Sequence, residues 1–146
     1  SETSLLAEER SGFRYASDVR GRGPFRPVVS GRVLAVPQIP ITLPTLDEVL
    51  GRNGATAETF NDQIIRALTP DAANVLCVHA ESEGRAHLRS FEALIDRATA
   101  GGWRFVPLGE LLPADPAALP QRPVERGFVA GRAGAVSVEV RVGGSS

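Results

Sequence analysis

A histidine at the end of an apolar run is the strongest chemical signal in this sequence. The run is Val75-Leu76-Cys77-Val78, and His79, Ala80 and Glu81 follow it. An imidazole, with a reference pKa of about 6.5, suits proton transfer near neutral pH. If the run is a strand of a parallel sheet, His79 stands at the edge where loops converge and ligands bind. A histidine that only hydrogen-bonds a neighbouring loop would leave the same pattern. A second segment, Tyr15-Ala16-Ser17-Asp18-Val19-Arg20-Gly21, also sets polar residues after apolar ones. On a neighbouring strand, Asp18 would hold the ring nitrogen of His79 that does not react, fixing the tautomer and favouring the protonated acid. By pattern alone a turn capped by Asp18 is the better reading.

Charge adds a third candidate. Arg20, Arg22, Arg26 and Arg32 occur with no acidic residue between Val19 and Leu46. Guanidinium groups suit bidentate phosphate contacts. A solvated loop would carry the same charges, because all sixteen basic residues of the chain are arginine. Near His79, Glu81 is the candidate for a substrate amine or hydroxyl, and Glu83 reads as structural. His87 reads as surface or helix start, Trp103 as core and Cys77 as an inert buried thiol.

The elements that must position these groups follow from periodicity. Residues 2–11 read as a helix with Leu5, Leu6 and Ala7 on its apolar face and Gly12 at its end. Short strands are expected at 13–16 and 33–36, with a Gly-, Pro- and Arg-rich loop over 17–31. Three prolines between 37 and 45 force an extended connection. Helical signals cover 46–50, 56–68 and 87–100, and a short one covers 110–112. The runs 75–78 and 103–106 read as buried strands. Strand–helix alternation predicts parallel pairing with crossover helices. Val136, Val138, Val140 and Val142 alternate with polar residues and predict a half-buried final strand, followed by a flexible tail over 143–146.

Composition bounds the rest. The 146 residues are 42% hydrophobic and carry a formal net charge of −1, which fits one globular domain and gives no reason to expect a nucleic-acid partner. No apolar run approaches the ~20 residues of a membrane span. One cysteine permits no internal disulfide. Two histidines and one cysteine are too few for a structural zinc site of the usual spacing, so no metal ligand is assigned here. Without a methionine, Ser1 reads as a position inside a longer sequence.

Several segments resemble the bacterial formamido-arabinose phosphoundecaprenol deformylases, within the NodB-like polysaccharide deacetylases. They are Phe13-Arg14-Tyr15-Ala16-Ser17-Asp18-Val19-Arg20-Gly21, the Pro-rich stretch from Val36 to Glu48, His79-Ala80-Glu81-Ser82-Glu83-Gly84 and the region from Pro120 to Arg132. The resemblance implies that residues 1–142 are the C-terminal part of a deformed (β/α) barrel, a fold that takes ~250 residues in its general form. It implies that Leu76 and His79 match a Leu-x-x-His motif, with Leu76 lining the acyl pocket and His79 protonating the leaving amine. It implies that Asp18 tunes His79, and that Arg20 and Arg22 meet the phosphate of a lipid-linked amino sugar. The divalent metal and its ligands are expected in an N-terminal half, so the chain alone is expected to bind no catalytic metal and to be inactive. The implied partners are that half, the lipid-linked substrate and a membrane surface, at the cytoplasmic side of the inner membrane. A non-catalytic half-barrel that binds an anionic glycolipid or a partner chain is the alternative.

Overall fold

The computed structural model describes residues 1–140. The expected tail over 143–146 and the positions Arg141 and Val142 lie outside them. The architecture is mixed α/β. Four helices, α1 (Glu2–Ser11), α2 (Leu46–Val49), α3 (Ala57–Ala67) and α4 (Leu88–Ala100), accompany four strands. The strands are β1 (Arg26–Val29), β2 (Arg32–Val33), β3 (Gln121–Phe128) and β4 (Ala135–Glu139).

The helices form where periodicity and caps coincide. α1 ends at Gly12, which adopts a left-handed conformation with φ 70° that glycine takes at little cost. At the start of α3, the Thr56 hydroxyl accepts from the Thr59 N–H, and the Thr59 hydroxyl accepts from the Thr56 N–H. These bonds satisfy donors that the first helical turn leaves open. α3 buries Phe60 and Ile64, and α4 buries Leu94 and Ala98. They meet in a core with Leu43 and Leu46, and Leu76 packs against its edge. A second core joins α1 to the sheet through Leu5, Val19, Phe25, Val29 and Leu34.

The sheet departs from the expected parallel pairing. Its order is β2-β1-β3-β4. Only β1 and β3 run parallel, with Val28 opposite Pro123, and the outer pairs are antiparallel. β1 occupies part of the predicted loop over 17–31, and β3 had no strand-like alternation. The runs 75–78 and 103–106 form no strands. A strand needs ladder neighbours, and the Val75 carbonyl accepts from the Thr42 and Leu43 N–H groups while the rest of the run has no such ladder. Val78 and Phe105 are exposed rather than buried, and Cys77 is half-buried.

The Pro-rich segment is the central connector. Residues 38–41 take the Ala16 and Val19 carbonyls on one side through Ile39 and Ile41 N–H groups at 2.8 and 2.9 Å. Thr42 and Leu43 take Val75 on the other. This segment therefore lies between the Asp18 and His79 segments, which are not neighbours.

Candidate functional site

His79 is held by its own turn. Its carbonyl accepts from the Ser82 and Glu83 N–H groups, each at 2.9 Å, and its N–H donates to Glu83 Oε2 at 2.9 Å. Glu83 is buried, and its Oε1 has no hydrogen-bond partner among the described residues. Its carboxylate fixes the backbone that presents the imidazole. Glu81 is exposed at the head of the helical turn Ser82–Ala86, and no contact of its carboxylate with His79 is seen. Leu76 turns into the α2–α3–α4 core, where it lines a cavity of about 270 Å³ with Leu94, Trp103 and Phe105. Trp103 is half-buried there.

The acid facing His79 is Asp47, not Asp18. Asp47 Oδ1 stands 3.7 Å from His79 Nδ1. Burial pulls the Asp47 carboxyl upward, but the Thr45 hydroxyl, the His79 charge, its own N–H and Arg132 outweigh that pull and hold it below the usual carboxylate range. Asp47 lies on α2, whose start is fixed by Glu48: Oε2 accepts from the Thr45 N–H at 3.0 Å. Asp47 carries no local signal of this role, because it sits in a four-residue helix far from His79 along the chain. The Thr45-x-x-Glu48 spacing was the available signal that this short helix is rigidly started.

Asp18 is occupied elsewhere. Its N–H donates to Gln38 Oε1 at 3.3 Å, and the Gln38 amide donates to Glu8 Oε2 at 2.9 Å. Burial pushes the Glu8 carboxyl up from 4.5 to about 7, and the facing Asp18 carboxylate adds to the rise. A raised folded-state value means that the folded chain keeps a proton which the unfolded chain loses between 4.5 and 7. The stabilisation is fully present below 4.5 and is lost as pH rises through 7. Wild-type Tm should therefore fall between pH 5 and pH 7.5, and Glu8→Gln should flatten that fall. An unchanged slope in the variant, followed by circular dichroism, would place the proton elsewhere.

The arginine loop is largely committed to internal partners. Arg20 Nη1 donates to the Leu43 carbonyl at 2.6 Å, and its Nη2 pairs with Glu48 Oε1. Arg26 Nε donates to the Leu34 carbonyl at 3.3 Å, and Arg32 stands 3.7 Å from Glu9. Arg22 is exposed, and its N–H donates to Glu139. The expected cluster of phosphate-seeking arginines is thus dispersed, because buried carboxylates and open carbonyls draw in the donors.

Arg132 also pairs with Glu48 Oε1, at 3.5 Å. Together Asp47, Arg132, Glu48 and Arg20 form a row of alternating charge, with His79 beside Asp47 at one end. The row crosses α2, with the imidazole on one side. On the other side is an open cavity of about 920 Å³, walled by Arg20, Glu48 and the turn at 129–131. That turn sits hard against α2. Gly131 has φ 96°, and a Cβ there would fall 2.0 Å from the Glu48 carbonyl oxygen, so only glycine fits.

Among the described residues, no group of three His, Cys, Asp or Glu side chains stands close enough to hold a metal ion. The described residues thus supply no ligand set that fits a catalytic metal. Among the described residues, no helix is long and apolar enough to cross a membrane.

No family model matches this chain. It is 41% identical over 111 residues to a probable 4-deoxy-4-formamido-L-arabinose-phosphoundecaprenol deformylase of Shewanella sediminis (strain HAW-EB3). The matched stretch covers 76% of this chain and 35% of that protein. A protein of the same name from Wigglesworthia glossinidia brevipalpis is 31% identical over 131 residues, which cover 89% of this chain and 46% of the relative. The chain thus spans less than half the length of the curated relatives it matches.

Proposed function

This chain is a partial, C-terminal-type match to the 4-deoxy-4-formamido-L-arabinose-phosphoundecaprenol deformylases, and from that premise we propose that it supplies the proton-donating part of an amide hydrolase acting on a formylated, lipid-linked amino sugar. The observation that carries the reading is His79 held at the chain's backbone by Glu83 and faced by Asp47. Because Nδ1 faces the carboxylate, Nε2 is the atom free to act. In hydrolysis, water adds to the formamide carbon and the carbon–nitrogen bond breaks. The departing nitrogen takes the proton from His79 Nε2, and formate and the free amine are released. Asp47 positions the ring and does not touch the substrate.

Residues 1–142 are taken as the C-terminal part of a deformed (β/α) barrel of the NodB type. The divalent metal is assigned to residues outside these 146, and the protein to the cytoplasmic face of the inner membrane as a peripheral enzyme. The exposed Phe105 and Phe128 support a chain that pairs with further protein, and they equally suit a non-catalytic module docked on a partner chain.

Formate release decides between them. The protein that carries this chain is given the lipid-linked formamido sugar, and formate is measured. Hydrolysis is expected. In that assay Asp47→Asn should lower kcat roughly tenfold with KM little changed, as for a misaligned catalytic group, and Asp47→Glu should recover part of the loss. No formate from the wild type would leave the module reading, and a rise in KM alone would make Asp47 a binding residue.

A further inference from the structure

The segment from Pro120 to Arg132 takes no part in the proposed chemistry, yet its end is built onto the helix that carries Asp47. α2 has four residues, too few to hold a helix in water without tertiary support. Successive side chains of a helix point about 100° apart. Glu48, with its side chain 1% exposed, turns to Arg20 and Arg132, and the preceding Asp47 turns to His79. A displacement of Glu48 therefore turns Asp47 as well.

Two ties join the turn after β3 directly to this region. Arg132 Nη1 stands 3.5 Å from Glu48 Oε1. Arg52, just beyond α2, donates from Nη2 to the Gly131 carbonyl at 3.0 Å. Gly131 itself lies against the Glu48 carbonyl with no room for a side chain. A third tie comes through β4. The Arg20 N–H donates to the Ser137 carbonyl at 2.9 Å, and the Glu139 N–H donates to the Arg20 carbonyl at 2.8 Å. The Arg20 guanidinium then pairs with Glu48 Oε1. The β3–β4 hairpin thus reaches one buried carboxylate both from its turn and from its second strand. Completing the sheet requires only the ladders of β3 with β1 and β4, so the ties to α2 are additional to it.

We propose that Arg132 is a positioning residue: from the β3–β4 turn it fixes Glu48, and through the shared helix it keeps the Asp47 carboxylate opposite the His79 imidazole. The inference rests on the proposed role of Asp47 and extends it to a segment that does not touch the reacting atoms. Burial pushes the Asp47 carboxyl up, and Arg132 is one of the charges that draw it back down. The guanidinium thus acts on Asp47 by its charge as well as through the helix. The Arg132 side chain is 38% exposed, so solvent screens the pair and its effect is smaller than that of Asp47 itself.

In the longer protein, Arg132→Gln should lower kcat for the formamide about three- to fivefold with KM little changed, the scale of a partly exposed ion pair. Arg132→Lys keeps the charge and should recover part of the loss. Arg126→Gln removes an exposed charge from the same hairpin and should leave kcat unchanged. The sharpest variant combines Arg132→Gln with Asp47→Asn. Once residue 47 no longer holds the ring, losing Arg132 should cost nothing further. A second arm uses the 146-residue chain, with circular dichroism as the check on folding. Followed by carbon-13 NMR, the Asp47 carboxyl should titrate at higher pH in Arg132→Gln than in the wild type, and Arg126→Gln should not move it. Losses that multiply in the double variant, a change confined to KM, an unaltered kcat or an unmoved Asp47 titration would overturn the proposal. If the longer wild-type protein releases no formate, the hydrolase reading fails, and the NMR arm still decides whether Arg132 acts on Asp47.

Discussion

Glu48→Ala is expected to destabilise the fold by about 3–5 kcal/mol, the usual consequence of removing one member of a buried ion pair. The Glu48 side chain is 1% exposed and the Arg20 side chain 14%, so the pair is desolvated. Three partners lose their acceptor together: Arg20, Arg132 and the Thr45 N–H. Arg20 would keep only the Leu43 carbonyl, which does not neutralise a buried guanidinium. Domains of this size hold about 5–15 kcal/mol in all, so a large fraction of the stability would go. Glu48→Gln retains the shape and an acceptor for Thr45 and should cost less. Urea unfolding of the three proteins gives the numbers. A loss below about 1 kcal/mol for the alanine variant would mean that the pair behaves as an exposed one.

The second large effect is expected on chemistry. In the longer protein, His79→Ala should reduce kcat for the formamide by about 10²–10⁴, the range attributed to a positioned general acid. The fold should survive, because the imidazole is one-third exposed and packs into neither core. The cause can be isolated through the leaving group. An amine cannot depart from a tetrahedral adduct without a proton, whereas a phenolate can. The variant should therefore lose far less activity on an aryl formate ester than on the amide. Equal losses on both would assign His79 to the shape of the site rather than to proton transfer, and unchanged turnover of the amide would remove it from the mechanism.

The helices were legible in the sequence and most of the strands were not, for physical reasons. Helices carry their own hydrogen bonds, so Phe60, Ile64 and Leu94 at helical spacing, with Thr56 as a cap, sufficed. Strands depend on partners. Val75 to Val78 has the composition of a buried strand but finds no ladder beyond Thr42 and Leu43. β3 contains Pro123, Gly127 and three charged residues, yet it is a strand because β1 and β4 supply its neighbours. The site shows the same division. His79 at the end of an apolar run was visible from local pattern. That its facing carboxylate is Asp47 depends on the Pro-rich segment being threaded between the 13–20 and 75–79 stretches, which no local pattern encodes. The arginines were visible as charge, but whether each finds a carboxylate, as Arg20 finds Glu48, is decided by tertiary packing.

The parallel pairing of β1 with β3 also sets an order of events. Arg26 lies opposite Gln121, so residues 27–120, well over half of the chain, separate two paired positions. Closing so long a loop is entropically costly and slow, while the neighbouring helices α3 and α4 can associate early. During synthesis β1 has no parallel partner until its successor has left the ribosome. The turn at 129–131, which walls the cavity and presses on α2, follows β3 in the chain and is made later still. A chain that has not yet placed β3 and this turn can therefore present His79 and Asp47 but lacks the wall that the turn provides on the far side of α2.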